Sequence, residues 1–131
     1  MPLLKKRVLV MDDDEMVRNT AKAILALAEY EVDCAKDGSE AIEYYRKSLL
    51  ENNSYSAVLL DVVVKSGVGG KETMRRLLQM DPLVNAIISS GYTEDTVMSD
   101  YSRFKFKGRI SKPYRAEDLQ KLVNEISNSR R

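Results

Sequence analysis

The sequence contains no histidine, only one cysteine and only three prolines in 131 residues. Without imidazole, and with Cys34 as the sole thiol, a zinc, copper or haem centre lacks ligands, and no internal disulfide can form. A reducing cytoplasm fits that usage. An excess of either charge is also missing: 21 basic against 20 acidic residues leave +1, so no overall field draws the chain to nucleic acid or to a membrane. Long apolar runs are absent too. The leading MPLLKKR meets only the four-residue run Val8-Leu9-Val10-Met11 before acids begin, too short for a signal-peptide core or a membrane span. The expectation is a soluble protein.

There is no internal repeat, low-complexity tract or linker long enough to separate domains. An apolar content of 44% in a chain of this length supports one core, so residues 1–131 read as a single domain with its core from about 7 to 127.

What is present is an alternation. Short strand-like runs stand at Arg7 to Met11, Val32 to Ala35, Ala57 to Leu60, Ala86 to Ser89 and Gly108 to Ser111. Between them apolar residues follow helical spacing: Val17, Ala21, Ile24 and Ala28; Ala41, Ile42, Tyr45 and Leu49; Met74, Leu77 and Leu78; Leu119, Leu122, Val123 and Ile126. Thr93 to Tyr101 carries the weakest helical pattern. Asp37 to Glu40 has capping-box spacing, and Asp81-Pro82 closes the third helix. Cys34 and the six methionines read as core. Such alternation predicts a parallel sheet with helices on both faces, whose ligand site lies beyond the strands' carboxyl ends where strand order reverses.

Polar residues stand at those ends: Asp12 and Asp13 after the first strand, Asp61 after the third, Ser89-Ser90-Gly91 after the fourth, Lys112-Pro113 after the fifth. If strands one and three flank the reversal, Asp12, Asp13 and Asp61 converge on one crevice. Three carboxylates without imidazole or thiolate make an all-oxygen site. A divalent cation offsets their repulsion, and Mg²⁺ suits the donors and implies a phosphorylated ligand. Phosphoryl transfer then needs charge neutralisation, for which Lys112 and Ser90 are placed, and a nucleophile, for which Asp61 is the choice.

Simpler readings compete. Asp14 and Glu15 suit the start of a helix, as cap and first-turn acid, but one cap needs one side chain, which leaves Asp12 and Asp13 unexplained. Gly67, Gly69 and Gly70 lack the lysine of a phosphate-binding loop in the required spacing and read as backbone flexibility. Arg130 and Arg131 read as a frayed end.

Four blocks in order, VLVMDDDE, VLLDVVVKSGVGG, IISSGY and SKPY, resemble the receiver domains of two-component response regulators from Arg7 to about Ser127. The resemblance implies a flavodoxin-like, doubly wound α/β fold with five parallel strands in the order 2-1-3-4-5 and five helices. It makes Asp61 the acceptor of a phosphoryl group from a phosphohistidine on a histidine kinase or histidine phosphotransfer protein. It makes Asp13, Asp61 and the Val63 carbonyl Mg²⁺ ligands, and puts Asp12 around the metal through water. Ser90 and Lys112 take the hydroxyl and lysine positions, and a cis bond is implied between Lys112 and Pro113. The family also allows dimerisation on phosphorylation, while neither nucleic acid nor membrane contact is expected of this domain.

Three features depart from the family pattern. Lys65 replaces a proline about four residues past the acceptor, and the loop from Lys65 to Gly70 is one residue longer than in short single-domain receivers. That loop, with Lys71-Glu72 and SSGY, resembles receivers attached to hybrid sensor histidine kinases. Arg109 occupies the position of a switch aromatic, which puts the usual coupling to the Ser90 hydroxyl in question. Little chain follows the fifth helix, so no effector segment is expected. Val63 and Tyr92, at positions that influence attack by water, offer no acid or amide, which predicts slow self-dephosphorylation. Two other classes remain open: a Mg²⁺ phosphohydrolase built on Asp12-Asp13-Asp14, and a receiver-like interaction module that is never phosphorylated.

Overall fold

The computed structural model describes residues 5–65, 67–91 and 96–128. Ser66, Tyr92, Arg130, Arg131 and the first residues of the Thr93 to Tyr101 stretch, each part of an expectation above, lie outside them. Strands β1 (Arg7–Met11), β2 (Glu31–Ala35), β3 (Ala57–Asp61), β4 (Ala86–Ser90) and β5 (Gly108–Ser111) alternate with helices. These are α1 (Glu15–Leu27), α2 (Gly38–Leu50), α3 (Gly70–Met80), α4 (Thr96–Ser99) and α5 (Ala116–Ser127). The sheet order is β2-β1-β3-β4-β5, with every pairing parallel. No helix of the described residues is long and apolar enough to cross a membrane.

Side chains leave successive strand positions on opposite faces. Leu9, Met11, Val58, Leu60 and Ile88 join Tyr45, Met74, Leu77 and Met98 in one core cluster, formed with α2, α3 and α4. Val8, Val10, Leu59 and Ile87 meet Ala21, Ile24, Leu119, Val123 and Ile126 in the other, formed with α1 and α5. Helices therefore cover both faces, which is why the central strands β3 and β4 are buried at every residue.

Five helices were expected; four are regular and, among the described residues, α4 is a single turn, followed by a 3-10 turn at Tyr101–Phe104. The chain turns back through Lys105 at φ 72°, with the Phe106 amide donating to the Tyr101 carbonyl. The capping box at α2 is shifted on one arm. Asp37 accepts from the Glu40 amide, whereas the Glu40 carboxylate accepts from the Lys36 amide one residue before the cap. The methionine expectation fails at Met16, which is 77% exposed on α1, while Met11, Met74 and Met98 are buried. Cys34 is half-buried against the second cluster.

No described glycine has a positive φ. The loop glycines supply room rather than unusual backbone angles. A Cβ on Gly69 would lie 2.6 Å from the Val62 carbonyl oxygen, and one on Gly70 would lie 2.5 Å from the Asp61 carbonyl oxygen. Helix α3 thus begins in contact with the end of β3, and only a residue without a side chain fits there. Gly70→Ala should destabilise the protein by about 2 kcal/mol through overpacking against main chain, read as a lower urea midpoint at constant slope.

Candidate functional site

Parallel pairing sets the ends of β1, β3, β4 and β5 along one side of the sheet, and the reversal of strand order at β1 and β3 opens a crevice there. Asp12, Asp13, Asp14, Asp61, Val63, Lys65, Ser90, Gly91 and Lys112 line it. The structure thus brings together every candidate site residue, from four separate loops.

Each is held by its neighbours. Asp12 is fully buried; it accepts from the Asp14 amide at 2.9 Å and, through its other oxygen, from the Lys112 ammonium at 2.9 Å. The Arg18 guanidinium donates to the Asp12 carbonyl at 2.8 Å. Asp14 caps α1 by accepting from the Met16 amide, and Glu15 occupies the first turn, as their charge and position lead one to expect. Asp13 accepts from the Lys65 amide at 2.9 Å. Asp61 is 4% exposed and accepts from Lys112 at 3.1 Å. Ser90 is buried at the tip of β4, and its carbonyl accepts from the Lys112 amide at 2.9 Å. The bond between Lys112 and Pro113 is cis.

Of the acids that line the crevice, Asp12 and Asp61 share the Lys112 ammonium, and burial acts on them together with their mutual repulsion. Burial, with the charge of Asp12 behind it, pushes the Asp61 carboxyl up from 3.8 to about 6, against the opposing pull of Lys112. Burial by itself would lower the Lys112 pKa; its hydrogen bonds to Asp12 and Asp61 outweigh that and hold it above its ordinary value. Tyr114, whose hydroxyl lies 2.7 Å from Ser89 Oγ, is pushed up to about 12, chiefly by burial.

The acidic residues fit a cation. One carboxylate oxygen from each of Asp12, Asp13 and Asp61 lies within 4.8 Å of the others. Octahedral Mg²⁺, with oxygens at about 2.1 Å, needs ligand separations of roughly 3 to 4 Å, within reach of small side-chain adjustments. All the donors are hard oxygens, and the excess negative charge is what a divalent ion offsets. Asp12 has both oxygens engaged by protein donors, so Asp13 and Asp61 are the better direct ligands.

Sequence reasoning left out Lys65 as a contributor to the site, as well as Arg18 and the Ser89–Tyr114 hydroxyl pair. Lys65 and Arg18 act on or through main-chain groups, which leave no residue-type signature. Arg109, noted for replacing an aromatic, is exposed and donates to the Met98 carbonyl at 3.1 Å, tying β5 to α4.

A raised carboxyl pKa has a definite sign in stability. The neutral form is favoured by the fold, so its contribution is complete below pH 3.8 and is lost as pH rises through about 6. Asp61→Asn removes the ionisable group. In metal-free buffer its stability relative to the parent should be greater at pH 8 than at pH 5 by about 1 kcal/mol. Thermal melts with chelator present measure this, and a difference independent of pH would contradict it.

Comparison with known proteins agrees with this geometry. A family model described as response regulator receiver domain matches residues 8–124. The chain is 33% identical over 112 residues to the regulatory protein VanRB of Enterococcus faecalis, covering 79% of this chain and 48% of that protein. It is 26% identical over 123 residues to the chemotaxis protein CheY of Thermotoga maritima, covering 93% and 98%. It is 27% identical over 123 residues to the sensor kinase/phosphatase CqsS of Vibrio cholerae, covering 94% of this chain and 17% of that protein. It therefore spans about half of VanRB but nearly all of CheY. A solved CheY-like receiver domain from Methanospirillum hungatei superposes with a TM-score of 0.81 at 25% identity, covering 95% of each chain. With its doubly wound, flavodoxin-like sheet and its acidic crevice at the strand ends, the chain belongs to the response regulator receiver domain family.

Proposed function

We propose that this receiver domain accepts a phosphoryl group on Asp61 from the phosphohistidine of a histidine kinase or histidine phosphotransfer protein. The observation that carries the reading is the Lys112 ammonium bonded to both Asp12 and Asp61 across the crevice. Asp61 is held for attack beside a cation able to neutralise incoming phosphoryl oxygens. In the transfer, an Asp61 oxygen forms a bond to phosphorus as the phosphorus–nitrogen bond breaks, and the imidazole leaves with the electron pair. Lys112 and the Ser90 hydroxyl take up charge on the transferred oxygens. Mg²⁺ held by Asp13, Asp61 and the Val63 carbonyl, with Asp12 around it through water, would supply further charge neutralisation.

The modified aspartate is the product, and its consequence is conformational rather than catalytic. New charge-assisted bonds from Ser90 and Lys112 to phosphoryl oxygens are strong enough to shift a balance between two packings a few kcal/mol apart. Arg109, bonded to the Met98 carbonyl, lies where that shift would pass from β5 to α4. A phosphohydrolase with its nucleophile on the first loop is disfavoured, because Asp12 is buried with both oxygens engaged. The glycine-rich acceptor loop and the likeness to the CqsS segment support attachment to a histidine kinase. The sheet-end crevice serves a stand-alone regulator equally well.

Incubation with acetyl phosphate and Mg²⁺ should add one phosphate per chain by intact mass, and the adduct should be absent with chelator or in Asp61→Asn. Continuous turnover of a phosphate ester would favour the hydrolase, and no adduct at all would favour an unphosphorylated interaction module. Val63 is about half exposed at the crevice and has no group to orient water. The adduct should therefore outlast seconds, and Val63→Asn should shorten its lifetime several-fold in a decay time course. Tyr92, the other position named for lifetime, lies outside the described residues.

A further inference from the structure

We propose that Lys65 is a positioning residue for the acidic site and acts through its main-chain N–H, which holds the Asp13 carboxylate from across the crevice. The inference rests on Asp13 being a metal ligand and goes beyond it. The Lys65 amide donates to Asp13 Oδ2 at 2.9 Å, joining the loop after β1 to the loop after β3 over 52 residues of sequence. The residues described on either side of this donor are anchored. Val64, next to it, is buried in the core cluster of α2, α3 and α4, and the Gly70 amide closes the same loop on the Val62 carbonyl. The N–H is therefore fixed before any cation arrives.

The contact does two things for a carboxylate crowded by Asp12 and Asp61. It partly offsets the negative charge, and it selects one side-chain orientation, so less rotamer freedom is lost when a cation binds. Any residue except proline can supply this donor, which separates main chain from side chain experimentally. Lys65 is among the residues lining the crevice, and Lys65→Ala removes its ammonium while leaving the N–H in place.

Mg²⁺ titration by calorimetry on the whole chain tests the assignment. Lys65→Ala should bind Mg²⁺ within a factor of two or so of the parent, whereas Lys65→Pro should bind about tenfold more weakly, the scale of one hydrogen bond to a charged group. Equal or tighter binding by a folded Lys65→Pro overturns the proposal. Because proline could disturb the loop itself, amide exchange in the metal-free protein gives a second reading. The Lys65 N–H should be protected in the parent and lose that protection in Asp13→Ala; exchange at unprotected rates in the parent also overturns it. Absence of Mg²⁺ binding by the parent would count against the phosphoacceptor reading, and the exchange experiment would then decide this inference by itself.

Discussion

A partly buried ammonium shared between two carboxylates is the contact on which the rest of the site depends. Lys112 reaches Asp12 and Asp61 at 2.9 and 3.1 Å while remaining mostly shielded from water. Removing a buried charge from its partners is far more unfavourable than never having placed it there, so the three groups stand or fall together. Lysine alone does not balance the crevice. Burial first, and the neighbouring Asp12 charge second, raise the Asp61 carboxyl above its ordinary value even with Lys112 bonded to it.

The fold exists to bring those charges together without letting them spread. Each acid follows an apolar strand buried in the middle of the sheet, and the strand residues pack alternately against α2 and α3 on one side and α1 and α5 on the other. A carboxylate that follows such a strand cannot retreat into solvent without dragging core residues with it. The glycine at the start of α3 tightens this further, because that helix begins against the Asp61 carbonyl.

Much of the fold was legible because its signals were ones of residue type. Continuous apolar runs marked β1, β3 and β4 to within a residue or so, shorter and interrupted ones marked β2 and β5, and the clustered acids at two strand ends marked the crevice. What stayed hidden was written in the main chain. Helix α1 ends with Glu29 at φ 68° and α2 with Asn52 at φ 54°, positions where glycine is the usual sign. Neither Glu29 nor Asn52 announces itself as a stop. The Lys65 amide that holds Asp13 was invisible for the same reason, since every residue but proline carries it. The close approach at Gly69 and Gly70 was hidden too, because glycine serves close approach as readily as backbone freedom and its type does not say which. Asp12, Asp13, Asp61, Ser90 and Lys112 were found because a charged or hydroxylated side chain after an apolar strand is conspicuous.

The tip of β4 is tied to the first residue beyond β5 by a bond between main chains, from the Lys112 amide to the Ser90 carbonyl. Side chains can swing independently, but peptide groups so linked travel as a unit. In the proposed transfer, a tug on the Ser90 hydroxyl would thereby also be a tug on the backbone that carries Lys112, so the two residues would act as the paired jaws of one clamp rather than as separate fingers.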